Sequence, residues 1–278
     1  MITDNQTNQL FLSDKLPDKF PDFYRAFKLL LIDCGIKPEL LQPTNDIWAV
    51  DYMPIQVRSD KFVRFKYYPS YLRTKTLEKT ISDVDTICEF LGIQTVKSDI
   101  ILDGGNISRT SDKVIMTEKV FKENPTIERK KLISDLHELL EIDKLYFIPV
   151  QPYDFTGHSD GMVRFYDEDT LLINDFSKEK PSFFKAFELA ISKMGLNCIR
   201  IPYNPDSNTN DLGAKGDYIN YLQMEDIVIV PKFGIDEDDI VLRQFEDIFI
   251  GKKVTSIDSN AIAEEGGVLN CITWNIRN

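Results

Sequence analysis

The sequence predicts one α/β domain, residues 1–278, in which five strand–helix units close into a ring. Three observations carry that expectation. Amphipathic helices start near residues 21, 77, 125, 181 and 236, a recurrence of about 50 residues that belongs to closed or stacked repeats. Each helix leads through a strand into a polar loop and then a strand pair. Each loop also carries a chemically competent side chain, so a ring would aim all five at one centre.

The first helix runs from Pro21 to Cys34, with Phe23, Phe27, Leu30 and Leu31 at helical spacing and Gly35 as its stop. A short strand around Ile36 and Leu40, the loop Thr44-Asn45-Asp46 and the strands Met53 to Val57 and Phe62 to Tyr67 follow. Leu77, Ile81, Val84, Cys88 and Leu91 predict the second helix, then a strand at Ile93 to Val96, the loop Asp103-Gly104-Gly105-Asn106 and a return strand at Lys113 to Met116. A third helix is expected from Pro125 through Leu132, Leu136 and Leu140, with Leu145 to Val150 as its strand. The loop Thr156-Gly157-His158-Ser159-Asp160-Gly161 comes next. A strand beginning as early as His158 would put His158 and Asp160 on one face. The fourth helix starts at Pro181, a favoured first-turn residue, and carries Phe184, Phe187, Ile191 and Met194. The strand Leu196 to Ile201, a longer loop into Asp217-Tyr218-Ile219-Asn220 and the strand Asp226 to Val230 complete that unit. The fifth helix spans roughly Asp238 to Phe249, and the strand Val254 to Ile257 leads to the terminal loop ending at Cys271.

Composition narrows the function classes. Lys and Arg number 33 against 45 Asp and Glu, a net charge of −12 with no basic run, which argues against nucleic acid and anionic membranes but suits a cationic substrate. No apolar run approaches the roughly 18 residues of a membrane span. The residues after Met1 lack the basic and apolar regions of a secretory signal, and Cys34, Cys88, Cys198 and Cys271 form no CxxC or disulfide framework. A reducing cytoplasm is the expected compartment. A homo-oligomer is left open.

Together the loops offer Asp46, Trp48 and Asp51, then Asp103 and Asn106, then His158 and Asp160, then Asn220, and finally Cys271. A guanidinium is planar, permanently charged and rich in N–H donors, so holding one takes paired carboxylates and a flat aromatic face. Attack at its central carbon takes a thiolate, and exchanging ammonia for hydroxide takes a proton carrier such as histidine. Each residue also has a plainer reading: Trp48 as core, Asp51 as a turn cap, His158 as a hydrogen-bonded strand end. Cys34 and Cys88 lie on apolar helix faces and Cys198 in a buried-looking strand. Cys271, after Gly266-Gly267, is the one expected to alkylate first. His137 reads as a solvated helix residue, and Asp236-Glu237-Asp238-Asp239 as a helix start.

In these residues the chain resembles the agmatine deiminase and bacterial-type peptidylarginine deiminase family of the guanidine-modifying pentein superfamily. Asn45-Asp46-Ile47-Trp48-Ala49-Val50-Asp51 is similar to the family's N-D-x-W-x-R-D, Asp103-Gly104-Gly105-Asn106 to its acidic-G-G-N, and Gly157-His158-Ser159-Asp160 to its G-H-x-D. Tyr218-Ile219-Asn220 matches Y-x-N, and Gly266-Gly267 with Cys271-Ile272-Thr273 matches the terminal G-G…C-x-T. The resemblance implies a five-bladed α/β propeller (pentein fold) that uses no metal and no other cofactor. It implies Cys271, His158, Asp51 and Asp160 as the catalytic set, with Trp48 and Asn220 lining the substrate pocket. The loop residues Asp46, Asp103 and Asn106 are further candidate contacts. The chain departs from the family at Val50, where arginine is usual, at Asn270, where histidine is, and at Trp274, where glutamine is. The expected reaction is hydrolysis of a small-molecule or peptide guanidino compound, agmatine first and a peptidyl or free arginine behind it, to a ureido compound and ammonia. Rival expectations are an amidinotransferase, a metallohydrolase ligated by His158, Asp160 and Asp51, and a guanidinium-binding protein without turnover.

Overall fold

The computed structural model describes residues 1–204 and 213–278, so the longer loop leading to Asp217 falls partly outside the described residues. The described strands form five three-stranded sheets. One sheet joins β1 (Gln9–Ser13) and β2 (Glu39–Leu41) to the last strand of the chain. The next holds β3 (Ile55–Arg58), β4 (Lys61–Lys66) and β5 (Thr95–Ile101), and the third β6 (Ser108–Arg109), β7 (Lys113–Thr117) and β8 (Lys144–Ile148). The fourth comprises β9 (Val163–Phe165), β10 (Thr170–Asn174) and β11 (Asn197–Ile201). The fifth comprises β12 (Leu222–Gln223), β13 (Ile227–Lys232) and β14 (Lys253–Asp258). The closing strand is β15 (Thr273–Ile276).

Every sheet obeys one rule. Its first strand pairs antiparallel with the central strand, which pairs parallel with the third. A parallel pair needs a long crossover, and the amphipathic helix supplies it. Thus Val84–Phe90 links β4 to β5, Arg129–Leu140 links β7 to β8, Pro181–Ser192 links β10 to β11, and Glu237–Ile248 links β13 to β14. In the first sheet Pro21–Asp33 links β1 to β2, while β15 takes the first position, so the two ends of the chain close the propeller. The sequence period is right, but its phase differs: each helix sits inside a sheet rather than at its start.

Three of these helices bury a stripe at i, i+4, i+8. Phe23, Phe27 and Leu31 do so in the first, Leu132, Leu136 and Leu140 in the third, and Phe183, Phe187 and Ile191 in the fourth. Each such side chain contributes about 1.5–3 kcal/mol on full burial. Phe183 is buried in line with Phe187 and Ile191, and the expected Phe184 packs partly buried against the same cluster.

Three boundaries differ from expectation. The second helix begins at Val84, not Leu77, because Asp83 caps it, its carboxylate accepting from the Thr86 amide at 3.3 Å and the Thr86 hydroxyl at 2.9 Å; Leu77–Thr80 is a separate 3₁₀ turn. The third begins at Arg129, after a short helix at Lys119–Glu123. The strand expected to start at His158 starts at Val163. The Met162 and Val163 amides both donate to the Ser159 carbonyl, which turns the chain there instead. β1 and β15, at the two ends of the chain, lie outside the expected elements. Cys198 is exposed, since β11 turns only Ile201 fully inward. His137 is half-buried and binds the Ile142 carbonyl through Nδ1 at 2.8 Å, closing its helix. Asp238 accepts the Phe233 and Gly234 amides and the Tyr218 hydroxyl, anchoring the fifth helix.

Candidate active site

The site is assembled from the segments that leave the third strand of one sheet and enter the first strand of the next. Asp51 comes from the segment between β2 and β3, Asp103 from β5–β6, His158 and Asp160 from β8–β9, Asn220 from β11–β12, and Cys271 from β14–β15. A strand end delivers a side chain to the axis on rigid backbone, so one cavity collects residues more than 200 positions apart. That cavity measures about 670 Å³ and is lined by Asp46, Trp48, Asp51, His158, Asp160, Asn220 and Cys271 among others.

Asp160 is the hub on one side. Its Oδ2 accepts from Asn220 Nδ2 at 3.0 Å and from Asn270 Nδ2 at 2.7 Å, and the Cys271 Sγ lies 3.7 Å away. Asn220 turns its other amide atom to the Cys271 backbone, accepting that N–H at 3.2 Å. His158 is the hub on the other side. Its Nε2 is 2.8 Å from Asp103 Oδ2, and its Nδ1 is 3.5 Å from Asp51 Oδ1. Asp51 Oδ1 also accepts the Gly105 amide at 3.0 Å.

Two glycines leave room for this packing. A Cβ on Gly105 would stand 2.6 Å from Asp51 Oδ1 and 2.7 Å from His158 Nδ1. One on Gly267 would stand 2.5 Å from the Trp48 ring and 3.1 Å from Cys271 Sγ. The paired glycines of both motifs are thus there for close approach.

Burial and crowding tune the ionisable groups. Burial, with Asp103 and Asp160 adding to it and His158 opposing, pushes Asp51 up to about 7. Burial disfavours a charged His158, yet Asp51 and Asp103 outweigh it and the nearby Lys119 ammonium and push the imidazole up to about 9. Burial, then Asp160 and Asp51, hold the Cys271 thiol well above its ordinary value. Asp103 stays low despite burial because Lys119 and His158 face it.

Two expected contacts fall elsewhere. Asn106 accepts the Thr117 amide at 2.8 Å and does not line the cavity; it fixes the turn below. Asp103, expected as a further candidate contact, does not line the cavity and is the carboxylate nearest His158. Val50 and Trp274 also leave this cavity unlined: both face a second one of about 190 Å³, and Trp274 packs on Phe11 while its Nε1–H donates to the Pro54 carbonyl. Their departures from the family pattern therefore do not touch the front cavity.

The sequence profile of the Porphyromonas-type peptidyl-arginine deiminase family matches residues 24–276. The chain belongs to this family. A protein of Streptococcus mutans, provisionally named an agmatine deiminase, is 24% identical over 220 residues, covering 67% of this chain and 60% of the relative. The chain thus spans about 60% of the length of the curated relatives it matches first. Among solved structures, the agmatine deiminase of C. jejuni superposes with a TM-score of 0.83 at 17% identity, covering 100% of this chain and 95% of that one. A provisionally named arginine deiminase of Porphyromonas gingivalis superposes at 0.79 with 19% identity, covering 99% and 98%. The fold is that of the pentein propellers.

Three residues of this family member's site escaped the sequence reading. Lys119, 8% exposed, donates from Nζ to Asp103 Oδ2 at 2.7 Å. Asp217 lines the cavity with a buried Oδ1 that has no hydrogen-bond partner among the described residues. Asn270 was noted only as a departure, yet it holds Asp160. A lysine directly after the apolar strand β7 was the available signal for the first, and proximity to Asn220 for the second.

The thiol's environment corrects the labelling expectation. A neutral haloacetamide should modify exposed Cys198 ahead of buried, protonated Cys271, because the thiolate is the nucleophile. A haloacetamidine carries its own cation between Asp51 and Asp160 and should reverse the order. Peptide mapping after each reagent reads the ratio, and the same ratio with both would remove cation-dependent activation of Cys271.

Proposed function

We propose that this chain is a cofactor-free deiminase, residues 1–278 acting as one catalytic domain, that hydrolyses a guanidino compound to a ureido compound and ammonia. The observation that carries this is a single cavity lined by a thiol, an imidazole and the carboxylates Asp51 and Asp160. Asp51 and Asp160 accept N–H donors of the bound guanidinium, and the Trp48 ring offers a flat face. The cation between them lets the Cys271 thiol lose its proton to solvent, and the resulting thiolate attacks the central carbon and forms the C–S bond. His158 gives its proton to the departing nitrogen, the C–N bond breaks, and ammonia leaves a thiouronium on sulfur. Water then attacks, His158 takes its proton, and the C–S bond breaks to release the ureido product.

Agmatine is the substrate the charge pattern favours. Asp46, Asp154, Glu179, Asp217 and Glu265 join Asp51 and Asp160 around the cavity, against Lys19 and Lys215, and Lys19 is engaged by Glu265 at 2.8 Å. No arginine is among the described lining residues to receive an α-carboxylate. Burial raises both Asp46 and Asp217, a strain that a second cation on the substrate tail would relieve. Ammonia release from agmatine, arginine, arginyl peptides and methylarginines tests the reading. Preference for free arginine would reverse the tail assignment, and no release from any of them would leave a guanidinium-binding protein.

The pH profile of kcat/KM should be a bell. Asp51 must be ionised to grip the cation, so activity falls as pH drops through about 7. His158 must carry its proton, so activity falls as pH rises through about 9. Both limbs belong to the coupled group. The profile should be the same after dialysis against a strong chelator; loss of activity restored by zinc would replace the thiol mechanism with the metal-dependent rival.

A further inference from the structure

A lysine is an unexpected neighbour for a histidine that must hold a proton. Lys119 opens the short helix Lys119–Glu123, and its Nζ sits 3.5 Å from His158 Nε2 and 2.7 Å from the Asp103 oxygen that the imidazole also engages. The ammonium lies 4.5 Å from the centre of the Tyr71 ring, whose hydroxyl donates to the same Asp103 oxygen at 3.3 Å. The stem is packed in place: a Cβ on Gly157, one residue before His158, would come within 3.3 Å of Lys119 Cδ. A lysine buried this far has no solvent to share its charge with, so its field acts on the groups it touches.

We propose that Lys119 is a positioning residue that keeps Asp103 ionised as the acceptor for His158 Nε2–H and limits how tightly the imidazole holds its proton. Without it, His158 would face Asp51 from the helix Ala49–Tyr52, Asp103 from the β5–β6 segment, and Asp154, whose Oδ2 accepts the His158 amide at 3.2 Å. Asp160 lines the same cavity, beside the Cys271 thiol, and the uncharged Tyr71 ring is 6.4 Å away. No other cation is in hydrogen-bond or ion-pair distance of the imidazole among the described residues. An imidazolium surrounded only by carboxylates is a poor acid. The same His158 must release a proton to ammonia and recover one from water, and Lys119 offsets the surplus of negative charge that would freeze it in one state.

The catalytic consequence rests on the deiminase reading, but the electrostatic one does not, so the test separates them. The chain has two histidines, and His137→Gln identifies the signal of the other. Histidine-labelled protein is titrated by NMR without substrate as wild type, Lys119→Met and Lys119→Arg, with folding checked by circular dichroism. Lys119→Met should move the His158 midpoint upward by about one pH unit or more, and Lys119→Arg should restore it. In turnover assays, Lys119→Met should shift the alkaline limb upward with a lower plateau and little change in KM. If the methionine variant does not fold, Lys119→Gln keeps a donor without the charge and carries the same expectation. An unmoved midpoint in a folded neutral variant, or an equal shift with arginine, overturns the proposal. A shifted midpoint in a protein that turns over no guanidine would instead overturn the deiminase reading alone.

Discussion

Cys271→Ser is expected to abolish ammonia release, lowering kcat on the order of 10⁴- to 10⁶-fold, the scale on which loss of a covalent nucleophile is felt. The fold should be untouched. A serine hydroxyl can still donate to Asp160 Oδ2, and the backbone amide still reaches Asn220 Oδ1, so no buried polar group is orphaned. What is lost is ionisation. Burial, Asp160 and Asp51 already raise the thiol well above its ordinary value, and a bound guanidinium can bring a thiol back into range. A hydroxyl starts several units higher, and the same cation cannot reach it. The serine variant should therefore bind substrate with ordinary affinity by calorimetry, yet show no covalent adduct by intact mass, where wild type quenched in acid shows one. A serine variant within tenfold of wild type would remove the thiouronium route.

The propeller was legible because its repeat is carried by helix stripes such as Leu132, Leu136 and Leu140, where period and burial coincide. The closing strands were not. Gln9–Ser13 and Thr273–Ile276 gain their pairing from each other, and partners at opposite ends of a chain leave no local signal. Local capping also beat periodicity, as at Asp83, where a side-chain acceptor set the helix start that Leu77 and Ile81 had suggested earlier. Within the candidate site, the thiol, imidazole and two carboxylates that line one cavity could be picked out because they are rare in combination. Asn106 could not be separated from them, since an amide that braces a turn and one that binds substrate look alike in sequence. Lys119 was invisible for the converse reason: lysine is ordinarily solvated, and it takes the Asp103 carboxylate and the Tyr71 ring to give it a place indoors.

The carboxylates should separate by signature as well as size. Asp51→Asn and Asp160→Asn each remove a charge facing an obligate cation, which costs about 3–5 kcal/mol when a buried pair is broken. That is roughly a hundred- to several-thousand-fold in kcat/KM. Asp51 is the foremost carboxylate raising His158, so Asp51→Asn should also draw the alkaline limb down from about 9 and erase the acid limb near 7. Asp160 acts on His158 less than Asp51 and Asp103 do, although His158 is the foremost charge acting on Asp160. Its variant should therefore move the alkaline limb less than Asp51→Asn does and should also disturb Asn220 and Asn270, whose amide groups both donate to it. Asp103 touches the imidazole rather than the cavity, so Asp103→Asn should lower kcat with KM nearly unchanged, because an asparagine oxygen still accepts Nε2–H but leaves Lys119 without its anion. Steady-state profiles from pH 5 to 10 for the three variants distinguish these outcomes. If Asp103→Asn raised KM as much as the other two, the grip on the guanidinium would have been assigned to the wrong pair.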